Sequence, residues 1–214
     1  MKFIMYVLFV FLLGFFHDSN AQTNWDEQTL EQANTAKNLN YLTLQEKEII
    51  FYSNLARING ALFVETFLED FLKRNNIKNN KWIISLKKDL KASPSLIALM
   101  PTKDLHEAAL SHAKKSGNTG QAGHQNFNSR TKILLKKYIG IGENCDYGNA
   151  NGLFIVMSLL IDENVESLGH RKNILNPEYI YTGASIQKHK RHGFNGVILY
   201  GKETYQEFSI LDKN

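Results

Sequence analysis

The sequence predicts an α+β fold in which helices come first and short strands come last. Apolar residues recur at helical spacing from about residue 44 to residue 161. After Pro177 the chain changes to short β-rich runs separated by turns rich in Gly, Asn, Lys and His. Strands and helices do not alternate along the chain, so we favour a layered α+β arrangement over a doubly wound parallel sheet.

The first 21 residues have the organisation of a signal peptide. Lys2 precedes an apolar run from Phe3 to Phe16, and small residues at 19–21 offer a cleavage point before Gln22. The run is shorter than the roughly 20 residues of a membrane span. We therefore predict a secreted or periplasmic protein with no transmembrane span after cleavage, and an uncleaved N-terminal anchor is the alternative.

Charge and cysteine content exclude few classes of function. The formal net charge is +4 and the isoelectric point is about 9.0, with lysines scattered in short clusters that are typical of solvated loops. We therefore expect no nucleic-acid partner. Cys145 is the single cysteine, so no internal disulfide can form, and we interpret it as a small buried side chain. A nucleophile or a soft metal ligand is the alternative for this thiol.

The first helices follow a polar segment. Residues 22–41 are rich in Asn, Gln and Thr, and we expect them on the surface or partly disordered. Thr43 and Glu46 have the spacing of a capping box, which predicts a helix that begins at residue 44. Asn59-Gly60 should interrupt it before a second helical segment. A polar hinge at residues 75–80 then precedes a helix over Trp82–Leu90, which ends at Ser93-Pro94.

A helix over Lys103–Ser116 is predicted by its narrow apolar face, which consists of Leu105, Ala108, Ala109 and His112. We expect His112 to be a hydrogen-bonded core residue rather than a ligand, and Gly117 to end the helix. Ser129 resembles the N-cap of a short helix that continues to Tyr138. Leu153–Ile161 is apolar enough to be a buried helix.

The late strands are predicted at Tyr179–Ile186, Gly196–Tyr200 and Tyr205–Leu211. We expect them to supply most of one antiparallel sheet. The helices at 103–116 and 153–161 should cover it, because their apolar faces need a partner.

Candidate site residues lie on three turns, each beside a glycine. His124 follows Gly123, Glu143 follows Gly142, and His170 follows Gly169. Imidazole and carboxylate groups are suitable ligands for Zn²⁺ and other borderline divalent metals. We therefore predict that these three side chains converge in one polar cleft.

The order and spacing of these motifs resemble the CAP superfamily, which groups cysteine-rich secretory proteins, antigen 5 and pathogenesis-related 1 proteins, and its bacterial branch in particular. The motifs are Leu105-x-x-Ala108-x-x-x-His112-Ala113, Gly123-His124, Gly142-Glu143-Asn144 and Gly169-His170-Arg171-Lys172-Asn173-Ile174-Leu175-Asn176-Pro177. The resemblance implies a three-layer α-β-α sandwich with a central antiparallel sheet. Together with the N-terminal patterns, it leads us to divide the chain into a signal peptide (1–21), a polar segment (22–41) and a CAP-like domain (42–214, core motifs 103–211).

The resemblance also implies a cleft lined by two histidines and two acids. His124, Glu143 and His170 match three of these positions, and Asp162 is the candidate for the fourth, where the family usually has Glu. Asp is shorter by one methylene, and Glu163 lies next to it. A divalent metal such as Zn²⁺ is the implied cofactor.

Two classes of function remain open from the sequence. The first is a non-catalytic binding module for a lipid, a peptide or an envelope component, and we favour it because the family implies no single reaction. The second is a metal-dependent hydrolase of peptides or cell-envelope polymers. A purely structural role for Glu143 and His170, as loop and helix caps, is a third interpretation of the same residues.

Overall fold

The computed structural model describes residues 24–203. The predicted signal peptide and the predicted strand Tyr205–Leu211 therefore lie outside the described residues. Of the polar segment 22–41, residues 24–41 are described. In the described part, the helices are α1 (Glu27–Ala33), α2 (Leu44–Ile58), α3 (Gly60–Phe63), α4 (Glu69–Arg74), α5 (Lys81–Ala92), α6 (Lys103–Thr119), α7 (Phe127–Thr131), α8 (Gly152–Ile161) and α9 (Gly169–Ile174). A π-helical turn, Val64–Leu68, joins α3 to α4, and a 3-10 turn, Leu134–Lys136, follows α7.

The sheet within residues 24–203 has four strands in the order β1-β3-β4-β2. The strands are β1 (Met100–Pro101), β2 (Ile141–Tyr147), β3 (Tyr179–His189) and β4 (Gly193–Lys202). Three of them are antiparallel neighbours, whereas the two-residue β1 pairs with β3 in parallel. The predicted antiparallel sheet is confirmed, and β1 is a short parallel addition at its edge.

Helices cover both faces of this sheet. On one face, Leu105 and Ala109 of α6 pack against Val197 and Leu199 of β4. On the other face, the larger core contains residues of α2, α5 and α8 together with Ala184 and Ile198 of the sheet. The α-β-α sandwich is thereby confirmed, and β2 lies at an edge where loops and helix ends from both layers can meet.

Local signals explain where the early helices begin and end. Thr43 and Glu46 form both hydrogen bonds of the predicted capping box. Asn59 ends α2, and its side-chain oxygen accepts a hydrogen bond from the Leu62 N–H at the start of α3. Asn80 caps α5 in the same way, and the predicted helix over Trp82–Leu90 is present as Lys81–Ala92. None of the helices within residues 24–203 is both long enough and apolar enough to span a membrane.

The polar segment was expected on the surface or partly disordered, and most residues of its described part are exposed or half-buried. It contains α1, and its Trp25 is buried, with Nε1 donating to Thr66 Oγ1 at 3.0 Å. The Ala33 carbonyl accepts a hydrogen bond from Asn54 at 3.0 Å. A few apolar side chains and one buried amide are therefore sufficient to dock a segment of polar composition.

Two helix boundaries differ from expectation. α6 continues through Gly117 to Thr119 and ends at Gly120, which has a left-handed φ of 72°. At Gly117 a Cβ atom would lie 2.1 Å from the Lys188 carbonyl oxygen, so this glycine allows close packing on β3 rather than ending the helix. Ser129 lies inside α7, which begins after Asn126, so it is not an N-cap.

Glu143 was expected on a turn, but it lies within the strand β2. The strand has polar residues on both faces, with Glu143 and Cys145 on the side of α6 and Asn144 and Asp146 on the opposite side. An apolar/polar alternation, which would have indicated a strand, is therefore missing from this segment.

Candidate functional site

The buried carboxylate of Glu143 accepts hydrogen bonds from two side chains, those of His124 and Arg130. The Glu143 side chain is 1% exposed, and Oε1 accepts hydrogen bonds from His124 Nδ1 at 2.7 Å and from Arg130 Nη2 at 2.5 Å. Burial alone would raise the pKa of Glu143, but the hydrogen bonds from His124 and Arg130 outweigh it and hold that pKa below its usual value. Glu143 is therefore an ionised carboxylate at neutral pH.

Asp162 and His170 form a second carboxylate–imidazole pair. Asp162 is the C-cap of α8, with a left-handed φ of 56° that turns its side chain toward the start of α9. Its Oδ1 accepts from His170 Nδ1 at 2.7 Å, and Oδ2 accepts from the backbone N–H groups of His170 at 3.0 Å and Arg171 at 3.2 Å. The shorter Asp thus reaches His170, whereas Glu163 is exposed and accepts a hydrogen bond from Asn80.

The two imidazoles have the same hydrogen-bonding state. A carboxylate only accepts, so Nδ1 of His124 and of His170 must each carry the proton, and Nε2 of the neutral ring has a free lone pair. The side chains are 48% exposed for His124 and 25% for His170, while Glu143 and Asp162 are each 1% exposed. The two carboxylates therefore lie in the protein interior, whereas both imidazole rings are partly exposed to solvent.

Amide side chains hold β2 and α9 together between the two pairs. Asn144 Nδ2 donates to the His170 carbonyl at 2.9 Å, and Asn173 Nδ2 donates to the Glu143 carbonyl at 3.2 Å and to Asn144 Oδ1 at 2.8 Å. These bonds fix the backbone at both ligand candidates. Hydrogen bonds from these amide side chains to the backbone give the two asparagines a structural role.

The four predicted ligands lie in two pairs, His124 with Glu143 and Asp162 with His170. Cys145 lies between them, with Sγ at 3.8 Å from His124 Nδ1, and it lines the same cavity as Asp162 and His170. Within residues 24–203, the buried residues His112, Glu143 and Cys145 form a group whose ligand atoms all lie within 4.8 Å of one another. The single four-residue site therefore stays a prediction.

Two cavities flank these residues. One, of about 400 Å³, is lined by polar residues that include Asp146, Asp162 and His170 and by apolar side chains, among them Phe71 and Phe154. Burial is the main cause that raises the pKa of Asp146 above its usual value. The second cavity, of about 620 Å³, lies between α6 and α7 and is lined by His112, Arg130 and several surface polar groups.

Comparison with protein families identifies the fold. The model of the cysteine-rich secretory protein family, CAP, matches residues 89–202, just over half of the chain. The chain belongs to the CAP family. Residues 24–88, with α1 to α4 and most of α5, lie outside this match. Phe71, which lines the cavity of about 400 Å³ in this CAP protein, belongs to this unmatched part of the chain.

Solved structures of CAP and SCP proteins resemble the chain at low sequence identity. An outer surface protein from Borrelia burgdorferi is 19% identical, with 65% of this chain and 95% of that chain covered and a TM-score of 0.43. An extracellular SCP-domain protein from Bacillus anthracis is 15% identical, with 84% of this chain but only 44% of that chain covered and a TM-score of 0.46. NaASP2, solved with Zn²⁺, is 12% identical over 77% of this chain and 87% of that chain, with a TM-score of 0.44. No curated protein matches the sequence.

Sequence reasoning missed two arginines of this CAP site. Arg130, which pairs with Glu143, carries no motif that separates it from other surface arginines. Arg171 belongs to the motif Gly169–Pro177, but no pattern in the sequence indicated that this charged residue is buried, with 1% of its surface exposed. Its guanidinium donates to the carbonyls of Trp82, Leu160 and Ile161 and to Ser85 and Asp89. It therefore joins α5 to the ends of α8 and α9.

Proposed function

We propose that this CAP protein is exported and acts as a non-catalytic binding module whose cleft holds a divalent metal such as Zn²⁺. The observation that carries this proposal is the pairing of each exposed imidazole with a buried carboxylate. His124 and His170 would bind the metal through Nε2, and Glu143 and Asp162 would hold the rings by accepting from Nδ1.

These residues fit a metal of this type. Histidines that bind metals usually donate their other ring N–H to a carboxylate, which fixes the tautomer and makes the free nitrogen a better donor of its lone pair. Both pairs have this arrangement, with both N···O distances at 2.7 Å. When bound, the metal would act as a Lewis acid that holds an anionic or carbonyl group of a ligand.

The same geometry supports binding over hydrolysis. A hydrolase needs a general base on the open side of the metal, within reach of its water. Glu143 and Asp162 instead contact the Nδ1 side of the rings, and both carboxylates are almost fully buried. Burial also raises the pKa of the Cys145 thiol well above its usual value, which disfavours a thiolate nucleophile.

The cavity beside Asp162 and His170 supports a ligand with a polar end and an apolar body. Its lining combines the polar side chains of His170 and Asp146 with the apolar side chains of Phe71, Ile77 and Phe154. A lipid, an apolar peptide or an amphiphilic envelope component has this chemistry.

Isothermal titration of chelator-treated protein with Zn²⁺ tests the proposal. The wild type should bind, and His124→Ala and His170→Ala should each lose most of the affinity while the far-ultraviolet circular dichroism is unchanged. His192→Ala is the matched control, because this exposed histidine belongs to neither pair. Equal binding by all four proteins would contradict the assignment of the metal to these rings.

Mass spectrometry separates the two classes of function. The Zn²⁺-loaded protein, incubated with peptides and with cell-envelope fragments, should leave them uncleaved. Cleavage products that form with the wild type and not with His170→Ala would establish the hydrolase instead.

Mass spectrometry also tests export. The mature protein should begin at Gln22, and recovery of intact Met1 in a membrane fraction would contradict cleavage of the signal peptide.

A further inference from the structure

A second group of ligand atoms lies on the α6 side of β2. His112 projects from α6, and Glu143 and Cys145 project from alternate positions of β2 toward it. Their ligand atoms all lie within 4.8 Å of one another, and Cys145 Sγ is 3.7 Å from Glu143 Oε1. All three residues are buried, although His112 lines the cavity of about 620 Å³ between α6 and α7, which offers a route from solvent.

Within residues 24–203, only one of the two carboxylate oxygens of Glu143 has hydrogen-bond partners. Oε1 accepts from His124 and Arg130, whereas Oε2 is buried and has no hydrogen-bond partner in the described part of the chain. Arg130 does not supply the missing contact, because its Nη1 also has no partner within residues 24–203. An unpaired oxygen of a buried carboxylate costs free energy unless a cation or a donor reaches it.

The hydrogen bond of His112 leaves the lone pair on the opposite ring nitrogen from that of His124 and His170. Its Nε2 lies 3.0 Å from the Gly123 carbonyl oxygen, which only accepts, so Nε2 carries the proton and Nδ1 has the free lone pair. Burial, the largest cause, lowers the pKa of His112 below its usual value, so the ring is neutral at pH 7. A neutral imidazole is the form that binds a metal.

We propose that His112, Glu143 and Cys145 form a second metal site, selective for a thiophilic divalent cation such as Zn²⁺ or Cd²⁺. Thiolate, imidazole and carboxylate together suit such ions better than Mg²⁺ or Ca²⁺, which prefer oxygen ligands. At usual Zn²⁺ bond lengths, tetrahedral ligands lie about 3.3–3.6 Å apart. The ligand atoms of the three residues lie at most 4.8 Å apart, and Cys145 Sγ is 3.7 Å from Glu143 Oε1, the oxygen that accepts from His124 and Arg130. The side chains would therefore move closer together on binding.

Binding would release one proton. The Cys145 S–H bond breaks, the proton leaves to solvent, and the sulfur lone pair forms the bond to the metal, with no change of oxidation state. The cation also supplies the contact that Glu143 Oε2 lacks, while His124 and Arg130 stay on Oε1. This site shares Glu143 with the site under Proposed function, but it does not involve Nε2 of His124 or His170, so the variant His170→Ala distinguishes the two.

Cobalt absorption tests this site. Co²⁺ added to the chelator-treated protein, under a non-thiol reductant, should produce a thiolate-to-metal charge-transfer band in the near ultraviolet, which imidazole and carboxylate ligands do not give. Cys145→Ser should abolish the band, His112→Ala should weaken Co²⁺ binding at least tenfold, and His170→Ala should leave the band intact. Zn²⁺ should displace the cobalt and bleach the band.

Three results decide the outcome. A wild-type spectrum without the band, in protein whose Cys145 is shown to be reduced by mass, would overturn the proposal. A band that survives in Cys145→Ser would do the same. If Cys145→Ser fails to fold, Cys145→Ala is measured instead, because it preserves the small buried side chain. Loss of the band in His170→Ala would also overturn the proposal, because the band would then depend on a residue outside the group of His112, Glu143 and Cys145.

Discussion

Asp162 contacts His170 twice, through the ring and through the backbone. Oδ1 accepts from Nδ1 at 2.7 Å while Oδ2 accepts from the His170 N–H at 3.0 Å. Asp162 is therefore the C-cap of α8, and its carboxylate caps the first turn of α9 and orients the His170 ring. The left-handed conformation of Asp162 makes this possible for a side chain that is one methylene shorter than Glu.

Asp162→Asn should weaken Zn²⁺ binding by about 10- to 100-fold, since the amide can no longer accept from all three N–H groups. It should also lower the free energy of unfolding by about 1–3 kcal/mol. Titration calorimetry and urea unfolding measure the two effects. Glu163→Gln, one residue away and exposed, is the matched control and should change neither. Equal Zn²⁺ affinity in the two variants would show that Asp162 does not position the ring.

Arg171→Met should lower the free energy of unfolding by at least about 3 kcal/mol, because it leaves the carbonyls of Trp82, Leu160 and Ile161 buried without that donor. Urea unfolding checks the value. Lys172→Met, at the exposed neighbouring position, should stay within about 0.5 kcal/mol of the wild type. A loss of stability no larger than that of the control would mean that water replaces the guanidinium.

Gly117→Ala should destabilise the protein although Ala is the better helix former. The propensity gain is at most about 1 kcal/mol. Against it, the new methyl would lie 2.1 Å from the Lys188 carbonyl oxygen, and overpacking of this kind costs about 1–3 kcal/mol. Asn118→Ala, exposed on the same turn, should be neutral or slightly stabilising. A rise in melting temperature for Gly117→Ala would show that α6 and β3 can separate at little cost.

Glu143→Gln tests the pH dependence of stability in the presence of chelator. The pKa of Glu143 is lower in the folded protein than its usual value of 4.5, so its charge stabilises the fold above that pH. The stability difference between wild type and Glu143→Gln should be constant above about pH 5.5 and shrink as the pH falls below 4.5. Unfolding curves between pH 3 and pH 7 give the comparison. A difference that grows toward acid would mean that the folded pKa is raised.

Much of the fold follows from local signals. The capping box at Thr43, the apolar helix over Gly152–Ile161 and the strands β3 and β4 each have a pattern that does not depend on distant contacts. β2 lacks such a pattern because its polar residues are buried by partners that come from other parts of the chain. The burial of Arg171 and of Trp25 is determined in the same way, by partners that are distant in sequence.

The site was only partly accessible from the sequence. The motifs indicated His124, Glu143, Asp162 and His170, but the hydrogen-bonded pairing of each His with one acid depends on how β2, α8 and α9 meet. His112 was expected to be a hydrogen-bonded core residue, and its bond to the Gly123 carbonyl agrees with this. That bond also leaves the free lone pair on Nδ1, and the ring lies in a group with Cys145 and Glu143, which no spacing in the sequence reveals.

The tautomers of the histidines test the central claim most directly. Long-range ¹H–¹⁵N spectra of the chelator-treated protein, assigned with His124→Ala and His170→Ala, report which ring nitrogen carries the proton. We expect protonated Nδ1 and unprotonated Nε2 for His124 and His170, and a shift of both Nε2 resonances on addition of Zn²⁺. Protonated Nε2 in these two rings, or Nε2 resonances that do not move with Zn²⁺, would contradict the account.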